Sequence, residues 1–86
     1  MLTATVTSSN IARFAWQEGN LHVLFNNGRE YTYSDAPESM FHDWASAESA
    51  GKFFHSFVKS LDNAETTGKK GSVFTPEIED VSQTLE

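Results

Sequence analysis

The stretch Leu21-His22-Val23-Leu24-Phe25-Asn26-Asn27-Gly28-Arg29-Glu30-Tyr31-Thr32-Tyr33 decides the fold. Leu21, Val23 and Phe25 alternate with His22, Leu24 and Asn26, which is strand period, and Tyr31 and Tyr33 repeat that period after the Asn26-Asn27-Gly28 break. Loop length then selects the faces. A two-residue Asn27-Gly28 turn pairs Asn26 with Arg29 and sets Phe25 and Tyr31 on opposite faces. A three-residue loop with Gly28 in the left-handed region pairs Phe25 with Arg29 and puts Leu21, Val23, Tyr31 and Tyr33 on one face. The second register buries more apolar surface and is the one expected.

Upstream, residues 11–16 form a further strand, and Gln17-Glu18-Gly19-Asn20 make a four-residue turn. That turn sets Trp16 opposite Leu21 and Phe14 opposite Val23, again on the apolar face. Ile11 has the wrong parity for this face, which predicts a bulge near Ala12 or Arg13. The β-branched residues 3–7 suit a fourth strand at the edge. The other sheet face shows Arg13, His22, Leu24, Glu30 and Thr32. It is mixed in charge and lacks an aromatic stripe, which makes it a plausible protein contact and a poor nucleic-acid platform, with the plain wet face of a one-sided sheet the favoured reading.

Downstream the period changes. Asp35-Ala36-Pro37-Glu38 opens a helix, with Pro37 at its first position and Met40, Phe41, Trp44 and Ala47 at helical spacing. Ser49 caps a second helix whose apolar stripe is Phe53, Phe54, Phe57, Val58 and Leu61. Gly51 near its start is placed for a close approach to a neighbour. The expected fold is α+β: a three- to four-stranded antiparallel meander with two helices on one face.

The chain has 86 residues, enough for one small core, and no cysteine, so neither disulfides nor thiolate metal sites hold it. Seven Phe, two Trp and two Tyr supply the packing instead. No apolar run reaches membrane-spanning length and no secretory leader pattern opens the chain, so a cytoplasmic setting is expected. The net charge of −6 is uneven. Arg13, Arg29, Lys52 and Lys59 face six acids in residues 1–60, while Lys69 and Lys70 face six in residues 61–86. This divides the chain into a near-neutral body, residues 1–61, and an acidic linker and tail, residues 62–86. Residues 62–72 are polar, carry Gly68 and Gly71, and read as the linker. Thr75-Pro76-Glu77 has the form of a helix start, and a helix over 76–85 sets Phe74, Ile78, Val81 and Leu85 on one side as a candidate partner-docking stripe. So short a helix is marginal alone, which leaves three outcomes open: docking on the body, docking on a partner, or disorder.

The body resembles the KTSC domain, a short module also found at the C-terminus of some lysyl-tRNA synthetases. The resemblance rests on Ser8-Ser9-Asn10-Ile11, on Trp16 where that family usually has Tyr, and on Leu21-x-Val23-x-Phe25 with Gly28. It continues through Tyr31-Thr32-Tyr33, Pro37, Ala47-x-Ser49-x-Gly51-x-Phe53-Phe54 and Val58-Lys59, covering about residues 8–60. His55 stands where the family commonly has Asn. The resemblance implies a small free-standing bacterial or phage protein of no established activity, with RNA binding as a candidate role.

Catalytic chemistry finds little support in the residues. The three histidines lack metal-ligand spacing, Ser8 and Ser9 lack a nucleophile-elbow context, and the carboxylates are scattered. No catalytic residue, metal or cofactor is expected, and no small-molecule substrate is evident. Two binding roles remain. Protein interaction, as an adaptor or inhibitor, follows from the acidic balance and the amphipathic tail. RNA binding follows from the resemblance and from Tyr31 and Tyr33 as a stacking pair, provided the cations gather on one face. The candidate binding face is Arg13, His22, Arg29, Tyr31, Tyr33, Lys52 and Lys59. Gly68-Lys69-Lys70-Gly71 has the form of a backbone-clamping loop but lacks flanking helices, and reads as linker.

Overall fold

The structure, a computed structural model, describes residues 1–74. Among these, five strands form one antiparallel sheet in chain order: β1 (Leu2–Thr5), β2 (Ile11–Gln17), β3 (Asn20–Phe25), β4 (Glu30–Tyr33) and β5 (Asn63–Glu65). Between β4 and β5 run α1 (Glu38–Ala45) and α2 (Ala50–Phe53), the latter continuing as a π-helical turn, Phe54–Val58.

The register is the one that buries the alternating apolar residues. Leu21 pairs with Tyr33 and Val23 with Tyr31, and the Phe25 N–H donates to the Arg29 carbonyl at 2.8 Å across the three-residue loop. Gly28 sits at φ 90°, a conformation that strains any residue carrying a Cβ. Trp16 pairs with Leu21 and Phe14 with Val23. The β2–β3 turn is tighter than expected, because Gln17 and Asn20 themselves pair and only Glu18 and Gly19 lie in the loop. A bulge between Ile11 and Arg13 restores the parity of Ile11, which is buried opposite Phe25. Slipping this register by one residue would turn Phe14, Leu21 and Val23 outward, each fully buried now, at roughly 1.5–3 kcal/mol apiece.

The helices cover the apolar face. α1 begins after Pro37, which takes the extended capping position rather than the first helical one. The approach to α1 is pinned to the sheet: the Ala36 N–H donates to the Gly19 carbonyl and the Trp16 indole donates to the Ala36 carbonyl, both at 2.8 Å. Phe14 stacks on Trp44 with centroids 3.9 Å apart and meets Phe41 edge-on. The Trp44 indole donates to the Ala50 carbonyl at 3.1 Å, joining α1 to α2. Ser49 caps α2 as expected, its hydroxyl accepting from the Lys52 N–H.

Two expectations fail here. First, the helix beyond Ser49 is not regular: the Lys59 N–H donates to the Phe54 carbonyl, a five-residue turn. The extra residue rotates the end of the helix, so Val58 is fully buried while Phe57 leaves the apolar stripe and stands 54% exposed. Second, the sheet has more strands than the three or four expected. β5 arises inside the segment read as linker and pairs Asn63 with Tyr33, Ala64 with Thr32 and Glu65 with Tyr31. It is short and polar, and backbone hydrogen bonds to β4 hold it rather than an alternating apolar pattern. The helix read over 76–85, with Ile78, Val81 and Leu85, lies outside the described residues. No helix among the described residues is long and apolar enough to cross a membrane.

Candidate functional site

The structure does not gather the expected binding face. Strand alternation puts Arg13 and His22 on the outer side of the sheet and Tyr31 and Tyr33 on the inner side, under the helices. Tyr33 is core, and burial pushes its phenol up to about 12, with the nearby Tyr31 phenol adding to the shift. Tyr31 is half-buried and meets Phe25 edge-on at 5.8 Å. Arg29, Lys52 and Lys59 are exposed, Arg29 just past the hairpin loop and the two lysines on the helical segment.

The outer face is not wet, as the alternation suggested. Ala15, His22 and Glu30 are buried there, and residues 66–74 lie over Thr32 and Glu30 and beside His22. Glu30 is wholly inaccessible to solvent, and its carboxylate accepts from the Ser72 hydroxyl at 2.6 Å, the Val73 N–H at 2.9 Å and the Phe74 N–H at 3.1 Å. Such donors, two of them consecutive backbone amides, suit an anionic carboxylate. Arg13 lies over the Phe74 ring, 5.1 Å from its centroid. His22 Nδ1 and the Thr32 hydroxyl share a hydrogen bond of 3.0 Å, and Thr32 in turn meets the Thr66 hydroxyl at 3.2 Å. Burial lowers the His22 pKa, and the neighbouring Glu30 opposes this more weakly.

On the helix side of the sheet, a groove of about 440 Å³ with both apolar and polar lining lies at its hairpin end. Three segments build it. The turn before β2 is held by the Ser8 hydroxyl, which accepts from the Asn10 and Ile11 N–H groups at 3.2 and 3.4 Å. The β3–β4 loop is tied to that turn by two bonds from Asn26: its N–H to the Asn10 carbonyl at 2.7 Å and its carboxamide to the Ser8 carbonyl at 2.9 Å. The third wall is the start of α2 and the π turn, with Gly51, Phe54 and His55. Ile11, Phe25 and Phe54 give an apolar floor, with Phe25 and Phe54 edge-to-face at 5.6 Å. Ser9, Asn10, Asn27 and His55 stand exposed around the rim. A methyl added at Gly51 meets the Ser8 hydroxyl at 3.9 Å, ordinary contact, and nothing else. The glycine therefore keeps the groove open; no clash requires it.

The groove was not legible as a site, because its members are scattered along the chain from Ser9 to His55 and each is ordinary alone. The signal was present only as adjacency: Ser8-Ser9-Asn10, Phe25 and Gly28, and Gly51 with Phe54 all belong to the pattern that carries the family resemblance. Among the described residues, no group of three His, Asp or Glu side chains lies close enough to hold a metal ion. His42 pairs with Glu38 at 3.0 Å on the exposed side of α1.

Comparison with known proteins places the fold in a family. The chain is similar to the crystal structure of a KTSC domain protein from Yersinia pestis, with a TM-score of 0.66 and 27% identity, over 73% of this chain and 93% of that one. No curated protein matches. The family model for the KTSC domain matches residues 7–61, which span the turn, both hairpin strands and both helical walls of the groove. The chain belongs to the KTSC domain family.

Proposed function

We propose that this chain is a small non-enzymatic protein-interaction module that takes an apolar side chain of an extended partner segment into the groove between residues 8–10, the β3–β4 loop and α2. The observation that carries the reading is the groove's lining: an aromatic floor with carboxamides and a hydroxyl on its rim, the mixture that holds a side chain below and a peptide backbone above. No lysine or arginine lines it, and the whole chain carries −6. A segment with basic residues flanking its apolar anchor is the complementary partner.

RNA binding is the second reading. The rings of Phe25, Phe54 and His55 border the groove and offer stacking surfaces, with the exposed Arg29 beyond the loop. The lack of cations in the lining ranks it below the first, since phosphate contacts supply most nucleic-acid affinity.

Selection from a random peptide library against the full chain tests the proposal, with Gly51→Leu as the control. The leucine fills the groove and is itself a better helix former than glycine, by about 0.5–1 kcal/mol. Peptides with a basic-flanked apolar residue that bind the natural chain and not the variant are expected. Peptides that bind both alike, or a chain that selects only salt-sensitive RNA from a parallel random pool, overturn it.

A further inference from the structure

The outer face of the sheet is an unusual surface to bury. Simple coverage calls for apolar side chains, yet the centre of the contact is the Glu30 carboxylate, and removing a charge from water is unfavourable unless donors replace the water. Those donors belong to Ser72, Val73 and Phe74, one hydroxyl and two successive amides followed by a ring under Arg13. None of residues 66–74 is itself fully buried. The segment turns twice through hydrogen bonds from Lys69 to Thr66 and from Ser72 to Lys69. It leaves a cavity of about 390 Å³ beside it, lined by His22, Thr32, Ser34, Asp62 and Thr66. A segment tied down by hydrogen bonds, none of whose residues is fully buried, opens at lower free energy than the core unfolds. It also lies beyond the family match, which ends at Leu61.

We propose that the outer sheet face is a second peptide-binding surface, and that residues 66–74 are a displaceable strap occupying it in cis. Its partner is an extended protein segment that presents a serine or threonine followed by an apolar and then an aromatic residue. The hydroxyl and the two following amides satisfy Glu30, and the aromatic ring takes the place of Phe74 beneath Arg13. Opening the strap withdraws these three donors from the carboxylate, and a segment of this chemistry supplies them again. This face lies across the sheet from the helices that wall the groove, so loss of one activity leaves the other intact.

The test uses the full chain and a fluorescein-labelled peptide with the sequence of residues 66–74. Val73→Pro deletes one of the amides that Glu30 accepts, leaving Glu30 and Arg13 in place. Trypsin is expected to cut this variant after the exposed Lys69 and Lys70 at least fivefold faster than the natural chain. The labelled peptide is expected to bind it at least fivefold more tightly by fluorescence anisotropy, and adding Glu30→Gln is expected to abolish that gain. Ser72→Ala, which keeps both amides, serves if the proline variant fails to fold, with the same two readouts moved in the same direction. Cleavage at the natural rate, or an opened strap with no gain in peptide binding, overturns the proposal.

Discussion

Replacing Glu30 by glutamine separates the strap from the core. The natural carboxylate accepts from Ser72, Val73 and Phe74 at 2.6, 2.9 and 3.1 Å. Bonds to a charged group contribute about 1.5–3 kcal/mol each, which sets a gross figure of roughly 5–9 kcal/mol. Two effects reduce it. Glutamine is easier to bury than a carboxylate, because the desolvation penalty of the anion disappears. The strap also has an escape that a core element lacks: once its attachment weakens it lifts into water, where Ser72, Val73 and Phe74 find new partners. The carboxamide keeps one accepting oxygen and turns an NH₂ toward donors. The expected net loss is therefore about 2–4 kcal/mol in strap docking, a roughly 30- to 1000-fold change in the opening equilibrium.

Hydrogen exchange of the Val73 and Phe74 amides reads that equilibrium directly and is expected to accelerate by this factor. Both tryptophans serve the other side of the sheet, Trp44 stacked on Phe14 and Trp16 bonded to Ala36. Urea unfolding followed by their fluorescence is expected to shift much less than amide protection does. An acceleration below threefold at both amides would refute the reasoning, since it would mean that Glu30 does not hold the strap. So would a fluorescence midpoint that falls as far as the amide protection, because the outer face would then be one cooperative unit with the core.

Burial lowers the His22 pKa, so the unfolded chain binds the proton more readily. The stability held by neutral His22 is present above pH 6.5 and is lost as pH falls through the folded pKa, by up to about 1.4 kcal/mol for each pH unit between the two values. Urea midpoints at neutral and mildly acidic pH are expected to diverge more for the natural chain than for His22→Gln, and parallel losses would contradict the assignment. Tyr33 shows the opposite sign. With its phenol pushed up to about 12, its stabilising contribution is present below the unfolded value of about 10 and is lost as pH rises through the folded one. Ultraviolet titration of Tyr31→Phe, which leaves Tyr33 as the lone tyrosine, is expected to show no phenolate in the native chain until about pH 11 or beyond.

The legibility of each feature in the residues depends on the range of the interactions behind it. The β3–β4 register was legible because parity and one glycine near φ 90° act over a few residues, and only one loop length satisfies both. The bulge before Arg13 was legible for the same reason: Ile11 is the wrong parity for an otherwise consistent face, and one extra residue is the smallest repair. Ser49 announced its own cap, a bond to an N–H three residues on. The π turn was not legible. Phe53, Phe54, Phe57 and Val58 fit a regular helix equally well, and it is the fit of Phe54 against Tyr33 and Phe25 that sets the rotation.

The outer face shows the limit more sharply. In strand period Glu30 belongs to the polar side, and a polar side is ordinarily wet; the sequence pattern says which way a side chain points, not whether something later in the chain covers it. The cover arrives 42 to 44 residues downstream, in a stretch whose glycines and lysines are the usual marks of a linker. Nothing in Ser72-Val73-Phe74 signals that its amides bind a carboxylate, because any three residues carry those amides. The specificity lies on the other partner. A glutamate buried on a sheet is tolerated only where a donor-rich segment meets it. The informative residue is thus Glu30 itself, and what it predicts is a requirement: either the chain's own strap or another segment with two free amides must sit above it. That requirement favours a binding surface, closed in cis, over a second core.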